Sequence, residues 1–220
     1  MTSSPRGGTR RKRPVLVPVA ALLSVSGLGV TAGLGGFAEA KEPPPPAAAQ
    51  GAVVDQGRYR TQFIKAIETQ ARQPSGPPKR AVDLVLKVKN TGDQTALVGT
   101  LPEPGKASAT GTTFASSLLK ITPEIKTEYG PKIFVLSYGI ESGQLHPDIT
   151  ATVVVRYEIA PGTPVPASLT VDVGKFEFRE LGERDRTEDW FLAPAPGSEP
   201  DKFVPEVAAR ISLPVRKENA

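Results

Sequence analysis

From Gly57 onward, apolar and polar positions alternate along the chain with a period of two. Val82, Leu84, Leu86 and Val88 share one face of an extended segment, and Asp83, Val85, Lys87 and Lys89 share the other. Asn90-Thr91-Gly92 then turns the chain. The clearest run is Ile149, Ala151, Val153, Val155, Tyr157 and Ile159, interleaved with Thr150, Thr152, Val154, Arg156 and Glu158. Pro161-Gly162-Thr163-Pro164 stops it. Tyr59 to Ile67 alternates imperfectly, and Thr95 to Gly99 and Ile133 to Tyr138 are further short strands. Leu169, Val171 and Val173 open a strand that the pattern extends through Phe176 and Phe178. Such alternation belongs to sheets with one wet face and one buried face. Several strands divided by Gly/Pro turns, with no strong helical period between them, predict an all-β antiparallel sandwich. Phe114 to Ile121 fits a short helix or a strand. Gly182 to Asp189 reads as a charged loop. Pro214, inside the last predicted strand Val207 to Val215, places that strand at a sheet edge.

The N-terminal pattern is different. Residues 1–14 form a basic tail with Arg6, Arg10, Arg11, Lys12 and Arg13 and no acid, followed by an uncharged stretch through Ala38. As a helix, Val15 to Phe37 would span roughly 34 Å, enough for a hydrocarbon core of about 30 Å. A basic flank before an apolar span sets a cytoplasmic N-terminus, with the C-terminal body on the far side of the membrane. The expectation is one transmembrane helix over residues 15–37. Ala38-Glu39-Ala40 also matches a signal-peptidase pattern, and cleavage after Ala40 would release a soluble protein. Gly29 and Gly33 form a G-x-x-x-G step that suits close helix pairing. Residues 38–56, rich in Pro and Ala, read as a spacer, with Pro43 to Pro46 in polyproline geometry. The extracytoplasmic body is then 57–216, with a tail at 217–220.

Charge distribution narrows the function. The chain has 27 Lys and Arg against 23 Asp and Glu. Removing the 5 basic residues before Pro14 leaves 22 against 23, a body at −1. A nucleic-acid binder concentrates positive charge on its folded domain, so this distribution argues against DNA or RNA. With no cysteine, thiol catalysis, disulfides and cysteine metal sites are excluded. No cofactor fingerprint occurs. His146 is the single histidine, so any Ser-His-Asp site would have to use it, although Leu145-His146-Pro147 reads as a turn. The acids between Glu180 and Asp189 alternate with Arg179, Arg184 and Arg186, a solvated, self-paired pattern. Trp190 and Phe191 are candidate aromatic anchors, of the kind enriched at binding hot spots, or a plug for the end of a core. Tyr129 and Tyr138 are candidates for a saccharide-binding face, while Tyr157 shares the apolar register of its strand.

Three stretches carry a resemblance: GRYRTQFIKAIETQ (57–70), VDLVLKVKNTG (82–92) and LHPDITATVVVRYEIAPG (145–162). Together they resemble the immunoglobulin-like, telokin-like domains of secreted and envelope-anchored proteins of high-GC Gram-positive bacteria. The resemblance covers roughly residues 57–180. It implies an immunoglobulin-like sandwich at the cell envelope and no shared catalytic residues. The expected role is a non-enzymatic binding or scaffolding module, with the membrane and an envelope protein or wall polymer as partners.

Overall fold

The computed structural model describes residues 44–71, 78–103, 105–127, 129–182, 186–198 and 202–218. The predicted transmembrane helix therefore lies outside the described residues, as do Gly29, Gly33, Ala38 and Ala40. Among the described residues, no helix is long and apolar enough to cross a membrane. Contacts divide the chain between Pro44 and Pro45. Every element below belongs to the second unit.

The fold is all-β. Among the described residues it has strands β1 (Ala47–Ala48), β2 (Val53–Asp55), β3 (Tyr59–Ala71), β4 (Lys79–Asn90), β5 (Ala96–Leu97), β6 (Leu118–Thr122) and β7 (Lys132–Ser137). These are followed by β8 (Ile140–Ser142), β9 (Gln144–Leu145), β10 (Thr150–Glu158), β11 (Ser168–Gly174), β12 (Phe176–Glu180), β13 (Glu188–Leu192) and β14 (Val207–Lys217). One 3-10 turn, Phe114–Ser117, leads into β6, so the ambiguous stretch is helical first and extended second.

A mixed sheet runs β6-β11-β14-β3-β4-β10-β7-β8, with β1 added on β14 and β2 on β3. Its ladders are antiparallel except β1–β14 and β14–β3, which are parallel. β12–β13 and β5–β9 form separate two-stranded sheets. Strands from both ends of the main order bury side chains in one cluster. Leu84, Leu86, Val153 and Val155 meet Leu169, Val171, Ile211 and Leu213 there. For distant strands of one sheet to share a core, the sheet must fold over on itself.

Three sequence expectations are corrected, and the irregular period of β3 is explained. The spacer 38–56 contains β1 and β2, and Val54 is buried under the sheet. Pro46, which has no N–H of its own, still accepts at its carbonyl from Arg210 N–H at 2.7 Å. The imperfect period of β3 comes from a bulge at Ile64. Phe63 pairs with Leu86 and Lys65 with Val85, so one residue is unmatched and the buried parity moves from Phe63 to Ala66. The strand predicted from Leu169 through Phe178 breaks at Lys175. Phe176 N–H then donates to Gln56 O, and the chain leaves the main sheet.

The third correction concerns β14, which is a central strand and not an edge. Val215 N–H points to β11, donating to Ala167 O, whereas Arg210 N–H points the other way, to Pro46 O. By alternation, position 214 also faces that second side. There β1 pairing stops at Ile211 and β3 pairing starts at Val215. Pro214 occupies the gap between two partners, where no donor is required.

Candidate functional site

β4 begins, β10 ends and β7 begins at the same end of the sheet. Antiparallel register brings this about, with Glu158 opposite Ala81 and Arg156 opposite both Asp83 and Lys132. Because Val82, Leu84, Val155 and Tyr157 face the core, the alternate residues Asp83, Arg156 and Lys132 form one row on the outer face. Beyond these strand ends lies a cleft of about 770 Å3. Its walls come from residues 78–80, 99–100, 129–133, 156 and 158–161.

Four cations line it (Lys79, Arg80, Lys132 and Arg156), with Glu158 as the one carboxylate. Each arginine is clamped from behind by an acid that is not part of the wall. Arg156 donates from Nε to Asp83 Oδ1 at 2.8 Å and from Nη2 to Oδ2 at 2.6 Å. Asp83 is buried, and this bond pushes the Arg156 pKa up from its ordinary value. Arg80 donates from Nε and Nη2 to Glu68 Oε1 at 3.1 and 2.7 Å, and from Nη1 to Thr163 O at 3.3 Å. Lys132 bonds Glu141. Its Nζ and the Arg156 guanidinium stand 5.2 and 5.4 Å from the ring centre of buried Phe134, two cation–π contacts that roof the ring. Lys79 Nζ lies 3.7 Å from the Glu158 carboxylate and 5.7 Å from the Tyr129 ring. Tyr129 itself is 82% exposed, an aromatic wall turned to solvent. Gly99 permits the close approach of its loop. Its φ is +78°, and a Cβ there would stand 2.3 Å from Thr113 Oγ1.

The four aromatic candidates from the sequence do not form one surface. Tyr129 is in the cleft. Tyr138 stands at the opposite end of β7, in the tight turn to β8, with φ +49° and full exposure. Phe191 is buried on the β12–β13 hairpin beneath Arg179, whose guanidinium lies 5.0 Å from its ring. Trp190 is half-buried against the core and packs on Phe178 at 5.5 Å. Tyr157 is buried, in keeping with its register.

The region read as a charged loop supplies part of that hairpin, with Glu180 opposite Glu188 and Arg179 opposite Asp189. Asp189 reaches Arg58 at 3.5 Å. His146 is exposed, with Nδ1 3.1 Å from Thr95 Oγ1. Among the described residues, no group of His, Asp and Glu is gathered to hold a metal ion.

Sequence reasoning named Tyr129, which lies in the cleft wall, and did not name the cations around it as candidates. They lie on three separate strands, and only the register unites them. One signal was present: Arg156 interrupts the otherwise apolar or hydroxylated run from Ile149 to Tyr157.

No protein-family model, no curated protein and no solved structure matches this chain.

Proposed function

We propose that this chain is a membrane-anchored, extracytoplasmic module with an immunoglobulin-like sandwich, and that it works by binding and not by catalysis. The cleft at the ends of β4, β10 and β7 carries this reading. It offers preset charges and an exposed aromatic wall, the equipment of a recognition site. The sandwich is supported by the single core shared between β3–β4–β10 and β6–β11–β14. The location rests on the order of basic tail, uncharged span and proline-rich segment.

The test uses the absence of cysteine. Ser142 on β8 is exposed, so Ser142→Cys gives one label site. Intact cells are treated with a membrane-impermeant maleimide, then membranes are separated from medium. Label on membrane-bound protein is the expected result. Label on protein in the medium replaces the anchor with cleavage after Ala40. Label only after lysis overturns the topology.

A further inference from the structure

Resting on the reading of the cleft as a binding site, we propose that its ligand carries an anionic oxygen group, phosphate or carboxylate, beside a ring or apolar body. The anionic group sits at Arg156 and Lys132, and the body lies against Tyr129 and Pro131.

Charge is the first argument. The cleft wall holds four cations and one carboxylate, on a body whose formal charge is 22 − 23 = −1. Each of the four is paired with an acid, but three of those acids (Glu68, Asp83 and Glu141) lie outside the wall, so the groups presented to the cleft are mainly cationic. Charge presented in this way biases a cleft toward ligands of the other sign.

The second argument is register. Arg156 and Lys132 are direct cross-strand partners. Like charges directly opposite on antiparallel strands repel. Asp83 and Glu141 offset this from behind and from the side. An anion held between the two cations would relieve the rest.

The third argument is preorganisation. The Arg156 fork to Asp83 uses Nε and Nη2, fixing the guanidinium plane while leaving Nη1 outside the fork. Arg80 is also held, with Nε and Nη2 on Glu68 Oε1 and Nη1 on Thr163 O. The ordering entropy that binding normally costs is thus met in the fold itself. A planar guanidinium fixed in this way matches an anion's oxygen pair better than a mobile ammonium does.

The body of the ligand is argued from the rest of the wall. Tyr129, Pro131 and Ile133 follow one another along the rim, and Ile159 to Pro161 face them from the end of β10. The volume falls within the roughly 300–1,000 Å3 of sites for small molecules, so a ring bearing an acidic group fits.

The experiment is heteronuclear NMR of the full chain in detergent micelles, titrated with phenyl phosphate, benzoate, phenol and inorganic phosphate. Phenyl phosphate or benzoate is expected to move signals at 79–80, 99–100, 129–133 and 156–161. Whichever binds more tightly identifies phosphate or carboxylate as the group. The double variant Lys79→Glu with Lys132→Glu, both on exposed side chains, should weaken binding by about tenfold or more. The milder Lys132→Gln serves if the double variant misfolds, and should weaken binding by about threefold. Tyr129→Ala should weaken phenyl phosphate about fivefold and leave inorganic phosphate unchanged. Phenol occupying the cleft as tightly as phenyl phosphate overturns the anionic ligand but leaves the cleft as a binding site. Failure of every probe to move the cleft signals overturns both readings.

Discussion

The β3–β4 hairpin has two ends, and they treat polar groups in opposite ways. At the Tyr59–Asn90 end, polar side chains turn inward and are spent on the fold. Gln56 Nε2 donates to Ser117 Oγ at 2.8 Å and to Gly174 O at 2.9 Å, while Thr61 Oγ1 donates to Gln56 Oε1 at 2.6 Å. Asn90 donates to Gln94 O and Leu145 O and accepts from Gly92 N–H. Gln56, Thr61, Ser117 and Asn90 are all fully buried. At the Ala71–Lys79 end, charged groups are held from behind by acids and turned toward a cleft. The difference separates two uses of polarity. A buried, satisfied network specifies one packing, whereas a clamped but exposed charge keeps capacity for something outside the chain.

The comparison breaks most severely where the closed end loses packing. Phe176 is buried and makes an edge-on contact with Tyr59 at 5.3 Å, as does Phe114 at the same distance. Phe176→Ala should cost about 3–5 kcal/mol of stability by chemical denaturation. A cost below about 1 kcal/mol would mean that this end is not the anchor of the fold. The next effect lies at the open end but acts on its backing. Arg156→Leu strips buried Asp83 of its partner. The cost should be about 2–3 kcal/mol, below that of a wholly buried pair because the Arg156 side chain is 22% exposed. Adding Asp83→Val removes the orphaned charge as well and should recover most of the loss. If the double variant is no more stable than the single one, the clamp is not what makes Arg156 costly to remove.

Legibility in the sequence followed the same divide. The strands of the open end, β4 and β10, were readable because their alternation is uninterrupted and each shows one apolar face. β3 was blurred by one unpaired residue, Ile64, because a bulge changes parity without leaving a composition signal. β14 was misplaced because Pro214 normally marks an edge, and only pairing shows that it falls between two partners. The polar network around Gln56 was invisible, since its members lie as much as 118 residues apart. Of the cleft, only Tyr129 was named from the sequence, as a candidate for a saccharide-binding face. Its four cations were not, because separate strands hold them.

Alkaline pH should act on both ends, since Tyr59 lies at one and Tyr157, opposite Val82, at the other. Burial pushes the Tyr59 hydroxyl up to about 12 from 10.0, and Tyr157 is raised by the same desolvation. Unfolded tyrosine releases its proton near 10, so above that pH the unfolded state binds fewer protons than the folded one. The stabilisation is therefore fully present below pH 10 and is lost as pH climbs toward about 12, by roughly 2–3 kcal/mol from Tyr59 alone. Denaturation midpoints measured across that window should fall. Tyr59→Phe should flatten the fall. Among the described residues the buried Tyr59 hydroxyl has no hydrogen-bond partner, so the same variant should gain about 1 kcal/mol at neutral pH. A loss there would reveal a partner for the hydroxyl, such as an ordered water.

The smallest effect is the sharpest test of the comparison. Tyr129 has the same aromatic bulk as the closed-end rings, yet it is 82% exposed while Tyr59, Phe114 and Phe176 are buried. If side-chain environment decides role, Tyr129→Ala should shift stability by no more than about 0.5 kcal/mol, against several for Phe176→Ala. Lys132→Gln should behave likewise, since its ion pair with Glu141 joins two side chains that are 59% and 40% exposed. Both would still lower probe binding in the cleft. A change that leaves the melting midpoint in place and removes binding assigns the side chain to recognition. Should Tyr129→Ala cost 2 kcal/mol or more, on the order of a core truncation, the ring is packing the end of the sheet. The open end would then be a second closed one, differing from the first only in how its charges are arranged.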